Sequence, residues 1–467
     1  MIGIQRNNRP GESMMTRTFG LSLFCVLNVS TLVFGQSAKI ESKPVTLGPY
    51  LYETKPDHEA FQVFNPRKSP PVGVLLLKPK DRLAICGDSI TEQKMYSRIM
   101  ETYLTACVPQ FQVTVRQYGW SGEKTDGFLR RMDQDCLTFN PTVATLAYGM
   151  NDSRYRPFDE TNGRWYKDHY TAIVQNFKQH NVRVVVGSPG CAGKIAEWVK
   201  SRSGTLEQHN LHLCALRDIA IGVADAEDVR FADIFWPMLQ AQVFAPGQHD
   251  ATVEKPYLVA GQDGIHPGWA GQVIMAWSML RSLGLDGDIG TINVDLTTNT
   301  ASVTEGHVVK EYANGKVTLI SRRYPFCARG DLNDHNSIRS GMTLVPFAED
   351  LNRLIFKANV KVRGKYRVIW GDVTKEFTGE QLAEGINLPV EFPENPFCEA
   401  FDRVDEAVAK KQAYETKQVK KYFHSKAAKS DFALIVEQTE AERKPLAEAV
   451  QSTMQPVTHS IEIRMVE

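Results

Sequence analysis

Arg82-Leu83-Ala84-Ile85-Cys86-Gly87-Asp88-Ser89-Ile90-Thr91 is the stretch on which the reading of the fold turns. Its first half is a short apolar run ending in glycine, the pattern of a strand buried on both faces. Its second half supplies a glycine able to turn sharply and two residue types that cap helices, and the amphipathic stretch Lys94 to Ala106 follows. Strand, tight turn and helix make half of a βα unit, and the unit recurs. Further strands are expected at Gln112 to Tyr118, Thr142 to Tyr148, Arg183 to Gly187 and Val229 to Ile234, with helices such as Trp165 to His180, and Trp269 to Leu283 closes the series. This alternation predicts an α/β unit over residues 81–286, a parallel sheet with helices on both faces.

On either side the pattern changes. Ahead of it, residues 36–80 are Pro-rich and poorly periodic, a lead-in with one or two edge strands at most. Before that, Arg17 precedes the apolar run Leu21 to Phe34, which ends at a small residue, Gly35. Basic flank, apolar stretch and small residue predict a signal peptide over 1–35 and hence an exported protein, periplasmic or secreted. The run is shorter than the ~20 apolar residues of a membrane span, so no stable insertion is expected after cleavage. Beyond Gly287 the text turns to strands at Thr291 to Leu296, Ala301 to Thr304, Lys316 to Ser321, Asn352 to Val362 and Tyr366 to Trp370, which polar turns suggest are antiparallel. From Phe397 it becomes helical, through Lys410 to Lys429 and Phe432 to Met454, before a last strand at His459 to Met465. Residues 287–467 are therefore expected to form a smaller β-rich domain with helices, the basic run Lys410 to Lys429 being a solvated amphipathic helix.

Composition narrows the classes. Lys plus Arg and Asp plus Glu are equal at 54 each, so no global field favours nucleic acid. Hydrophobic residues at 42% and charged residues at 23% predict a packed core. The eight cysteines less Cys25 leave an odd set without CxxC spacing, which points to neither a disulfide framework nor a zinc site.

The chemistry lies at the strand ends, where parallel sheets place their ligand sites. Ser89 follows the first strand, its hydroxyl facing the crevice and backbone N–H groups nearby. Far downstream, Asp263-Gly264-Ile265-His266-Pro267 sets a carboxylate three residues before an imidazole, ahead of a helix whose start Pro267 fixes. Asp263 can accept from Nδ1 and leave Nε2 free to take a proton from a serine. Ser121-Gly122 follows the second strand and Gly149-Met150-Asn151-Asp152 the third. A glycine N–H and an asparagine amide suit the stabilisation of a developing oxyanion. Asp152 reads as a carboxylate that braces the loop, and His249-Asp250 as a surface pair.

Gly87-Asp88-Ser89, Gly122, Gly149-x-Asn151-Asp152 and Asp263-x-x-His266 together resemble the four sequence blocks of the SGNH, or GDSL-type, serine hydrolases. The resemblance covers residues 82 to 285 and implies a three-layer α/β/α fold. It implies catalysis by Ser89, His266 and Asp263, with Ser89, Gly122 and Asn151 forming the oxyanion hole. The second block commonly opens with Asn, and Gln117-Tyr118-Gly119 stands here instead. Residues 286 to 467 look more loosely similar to an appendage of bacterial SGNH proteins associated with polysaccharide breakdown.

The expected activity is hydrolysis of a short acyl ester, acetyl above all, on a carbohydrate or other small ester, with no metal or organic cofactor and no nucleic-acid partner. The aromatic residues near the blocks, Trp120, Tyr148, Tyr155 and Trp165, suit stacking on sugar faces, although some must pack the core. Phe158 and Trp269 join them on the same terms. A lipase or phospholipase is the alternative enzyme. A carbohydrate-binding or scaffold protein acting through the C-terminal part is the alternative of another class. Acyl length, the alcohol, oligomeric state and transfer versus hydrolysis stay open at this stage.

Overall fold

The computed structural model describes residues 46–47 and 50–466, residue 362 excepted. The expected signal segment, with Cys25, and the start of the lead-in lie outside the described residues. Five strands, β1 (Arg82–Gly87), β2 (Thr114–Gly119), β3 (Val143–Ala147), β4 (Arg183–Gly187) and β5 (Arg230–Ala232), form a sheet in the order β2-β1-β3-β4-β5. Every neighbouring pair is parallel.

Alternation along β1 explains the layers. Leu83 and Ile85 enter one apolar cluster with residues of α2 (Tyr96–Ala106), α6 (Phe235–Gln248) and α7 (Trp269–Ser282). Ala84 and Cys86 enter another with residues of α3 (Thr125–Asp135) and α4 (Glu160–Gln179). Helix α5 (Leu206–Glu227) gives Leu213 to the first and Leu216 to the second. A strand with both faces covered has no polar side, which is why it reads as an unbroken apolar run. Helix α4 starts earlier than its apolar spacing suggested, because Asp159 caps it and accepts from Asn162 N–H at 2.8 Å. The short α1 (Ser89–Glu92) starts directly after the first strand, capped by Asp88.

Beyond the parallel sheet, β6 (Asp288–Asp295), β7 (Thr300–Val303), β8 (His307–Ala313), β9 (Lys316–Ser321), β10 (Arg353–Asn359), β11 (Lys365–Trp370), β12 (Val373–Thr378), β13 (Ile386–Asn387) and β14 (Val457–Met465) build two more sheets. The order β8-β9-β14-β11-β12 is antiparallel throughout. The order β13-β10-β6-β7 is not, because β6 and β10 run parallel, Ile292 opposite Phe356. The expectation of antiparallel strands alone is corrected there. A long crossover separates the two strands in sequence, and strand patterning carries no direction.

A second correction concerns Lys410 to Lys429. Helix α8 (Cys398–Lys417) is not a solvated helix, for Lys411, Gln412 and Glu415 are buried on it. It lies along β2, the edge strand of the parallel sheet, where Lys411 Nζ donates to Val115 O at 2.8 Å and to Glu415 at 2.7 Å. Glu101 on α2 is 3.1 Å from the same ammonium, and Arg443 on α9 (Phe432–Ser452) donates to Glu415 at 2.8 Å. Charged residues survive burial only when paired in this way. A covered edge strand also cannot recruit another chain.

Candidate active site

Ser89 stands at the N-terminus of α1, one residue past the capping Asp88. Gly87 is fixed by space: a Cβ there would lie 2.8 Å from Ala147 O and 2.0 Å from Thr91 Oγ1. Asp263 sits in a turn where its Oδ1 accepts from Ile265 N–H at 2.9 Å and His266 N–H at 2.8 Å. That turn aims the other oxygen, Oδ2, at His266 Nδ1, 2.7 Å away. His266 Nε2 lies 2.8 Å from Ser89 Oγ. Burial alone would raise the Asp263 carboxyl, but the bonds from His266 and Ile265 hold it below the usual range. A charged Asp263 can only accept, so the ring proton sits on Nδ1 and Nε2 is left to accept from the serine hydroxyl.

The three expected oxyanion donors, Ser89 N–H, Gly122 N–H and the Asn151 amide, differ in what they already hold. Neither Ser89 N–H nor Gly122 N–H is given to another group among the described residues. Gly122 has φ +72°, a left-handed conformation open to glycine, and a Cβ there would meet nothing within 4 Å, so its backbone faces open space. Asn151 is held at three points: Nδ2 donates to Glu123 O at 3.1 Å and Asp88 Oδ2 at 3.2 Å, and Oδ1 accepts from Tyr155 OH at 2.9 Å. Both amide hydrogens are therefore engaged, and the Asp88 contact is the longer one. Burial pushes the Asp88 carboxyl up to about 7 despite the Ile90 N–H it accepts. Asp152 braces the loop, accepting from Thr125 N–H at 2.9 Å, Thr125 Oγ1 at 2.7 Å and Gly149 N–H at 3.0 Å. Burial pushes it up to about 6.

The C-terminal segment reaches this face. After α8, a wide π-helical turn over Gln418–Tyr422 presents Lys420, whose ammonium lies 2.6 Å from Glu92 Oε1. Glu92 Oε2 accepts from both Ser121 N–H and Ser121 Oγ at 2.5 Å, immediately before Gly122. Burial would raise Glu92, but Lys420 and Ser121 keep it below its usual value. Gln117, the departure in the second block, folds its side-chain oxygen onto Gly119 N–H and donates Nε2 to Thr416 Oγ1 on α8 at 2.7 Å. The loop bearing Gly122 is thus tied to the C-terminal region at two places.

Of the aromatic residues read as sugar contacts, Tyr155 lines a cavity next to Gly122 and Asn151. Trp120 lies edge-on to His424, with Lys420 over its ring at 5.4 Å. Trp165 carries the Arg154 guanidinium over its ring at 5.2 Å. Tyr148 does not face solvent at all: it is 0% exposed, stacked on Phe128, with its hydroxyl 3.0 Å from Glu123. Its place in the substrate set is corrected to the core, where alternation along the third strand turns it inward. His249 is likewise buried, stacked on Tyr257 at 4.4 Å. Sequence reasoning missed Trp198, 49% exposed and stacked beside the His266 ring at 5.6 Å. Its loop follows β4 and carries no block residue; its position after a strand's C-terminal end was the only signal. Lys420 and Glu92 were also missed, lying more than 300 residues apart in sequence.

A parallel sheet clad by helices, with serine, histidine and aspartate gathered at its carboxyl edge, is the SGNH hydrolase fold. Residues 85–274 match the GDSL-like lipase/acylhydrolase family. A gut microbial diltiazem-metabolizing enzyme is similar in structure over 84% of this chain and 100% of its own, with TM-score 0.66 and 19% identity. That likeness is one of fold, and it reaches past residues 85–274. A GDSL-like lipase from Parabacteroides merdae aligns over 45% of this chain and 99% of its own at 20% identity and TM-score 0.37. The acetylxylan esterase Axe2 from Geobacillus stearothermophilus aligns over 45% and 97% at 18% identity and TM-score 0.36. No curated protein matches the chain in sequence.

Proposed function

We propose that the protein is an exported serine esterase that removes short acyl groups, acetyl above all, from carbohydrate. The observation that carries this reading is the relay of 2.8 Å from Ser89 Oγ to His266 Nε2 and 2.7 Å from His266 Nδ1 to Asp263. His266 takes the Ser89 proton as the oxygen attacks the ester carbonyl. The oxyanion is met by Ser89 N–H, Gly122 N–H and the Asn151 amide. The protonated His266 then gives its proton to the departing alcohol, leaving an acyl-serine. Water, deprotonated by the same histidine, releases the acid and restores the serine. Asp263 stays ionised throughout and stabilises the imidazolium.

Short acyl preference is supported by the surroundings, since the cavity beside Gly122 and Asn151 is about 350 Å³ and lined by charged and polar residues with Tyr155 and Val199. Trp198, exposed beside His266, offers a flat face of the kind that sugars stack on. The test is a series of 4-nitrophenyl esters from acetyl to octanoyl below micelle formation, with acetylated xylan alongside. Acetyl should be fastest and Ser89→Ala inactive. A lipase would instead gain about 0.8 kcal/mol of binding for each methylene that its channel accepts, and octanoyl faster than acetyl would establish that reading. Export is tested by N-terminal sequencing of the mature protein, with cleavage expected near Gly35.

A further inference from the structure

The cavity beside the oxyanion donors is lined by Gly122, Lys124, Asn151, Arg154, Tyr155, Arg156, Val199 and Ser201. Its charged members are all cations. Lys124 and Arg154 form no ion pair among the described residues, whereas Arg156 has one partner, Asp159 at 2.9 Å. Of the other carboxylates nearby, Asp126 is held by Arg130 at 2.6 Å, Asp88 accepts from Asn151 Nδ2 at 3.2 Å, Asp152 is held by Thr125 and Gly149, and Asp263 is held by His266. Arg156 also leaves its buried Nε without an acceptor. Arg154 makes no side-chain hydrogen bond; the Trp165 ring 5.2 Å away supports its guanidinium and leaves the N–H groups free. Arg154 and Tyr155 both have φ 54°, a conformation that costs non-glycine residues about 1 kcal/mol or more and that clusters at binding sites. In a chain with no net charge, this is a local field built at one spot.

We infer that this cavity takes an anionic group of the substrate, a carboxylate or a sulfate on the sugar that bears the acyl group, held by Lys124, Arg154 and Arg156. The inference rests on the esterase reading of Ser89 and specifies its substrate class. A planar guanidinium on a fixed support suits the paired oxygens of such a group, and Lys124 adds a mobile point charge.

The test measures kcat/KM of the full chain on three acetylated methyl glycosides: a glucuronide, a glucoside 6-sulfate and a neutral glucoside. At ~20 mM salt at least one anionic ester should be preferred about tenfold or more, the return expected from one or two charge-assisted bonds, and ~0.5 M NaCl should erode the preference. Which anion wins distinguishes carboxylate from sulfate. The double variant Lys124→Met/Arg154→Met should bring the anionic-to-neutral ratio towards one, and Arg154→Lys should retain part of it. A neutral glucoside cleaved as well as both anions, or a preference that survives in the double variant, overturns the inference. Those results leave the esterase reading standing; failure of the wild type on 4-nitrophenyl acetate, which carries no anion, would remove that reading itself.

Discussion

Asn151→Ala separates an oxyanion donor from a structural amide. In the resting site Asn151 Nδ2 is shared between Glu123 O at 3.1 Å and Asp88 Oδ2 at 3.2 Å. As charge grows on the substrate oxygen, one hydrogen must leave an existing acceptor, and the longer Asp88 contact is the one to yield. The gain in the transition state is then a difference between two bonds to acidic oxygens rather than one new bond. That places the loss on deletion towards the lower end of the range for one donor, ~10² in kcat or about 2.7 kcal/mol. KM should change little, because the interaction strengthens only as charge develops. Initial rates on 4-nitrophenyl acetate across a substrate range give both constants, and a circular-dichroism melt verifies folding. Tyr155→Phe, which removes only the bond to Oδ1, should cost a few-fold, well short of the deletion. A folded Asn151→Ala variant with kcat within threefold of wild type refutes the role, and a raised KM with kcat intact reassigns Asn151 to ground-state binding.

Asp88 ties stability to pH. Its carboxyl rises from 3.8 to about 7 on burial, so between those values the folded chain keeps a proton that the unfolded chain gives up. Stability should therefore fall as pH rises from ~4 through ~7, by on the order of 4 kcal/mol from this group. Urea unfolding of wild type and Asp88→Asn at pH 5 and pH 8 measures it, and a wild-type-minus-variant difference that is the same at both pH values speaks against it. Lys420→Met should lower kcat about five- to tenfold by loosening the Glu92–Ser121 link behind Gly122, with Lys420→Arg restoring much of it; a lower melting temperature with unchanged kcat would make Lys420 purely structural. Trp198→Ala should raise KM for an acetylated sugar about tenfold while altering stability by less than ~0.5 kcal/mol, as befits an exposed ring. Isothermal titration with a non-hydrolysable sugar ligand checks it, equal affinity in both proteins counting against the stacking role.

The five parallel strands and the meeting of Ser89, Asp263 and His266 were legible in the sequence for local reasons. An apolar run buried on both faces, a glycine at its end and a capping residue after it are written in neighbouring positions, and a parallel sheet delivers every such strand end to one edge. Asp263 and His266 are three residues apart, so one turn suffices to orient the imidazole. What only the tertiary structure decided depends on partners distant in the chain. Lys411 reads as a solvent-facing charge until Glu101 and the Val115 carbonyl are brought to it, and burial then becomes favourable because the charge is paired. Lys420 reaches the helix that begins at Ser89 because α8 is laid along β2 and a wide turn carries the chain on to Glu92. Tyr148 and Trp198 differ as core residue and cleft wall through packing alone, since an aromatic ring carries the same apolar surface in either place. The parallel pairing of β6 with β10 is likewise invisible to a pattern of period two, which records the faces of a strand but not its direction.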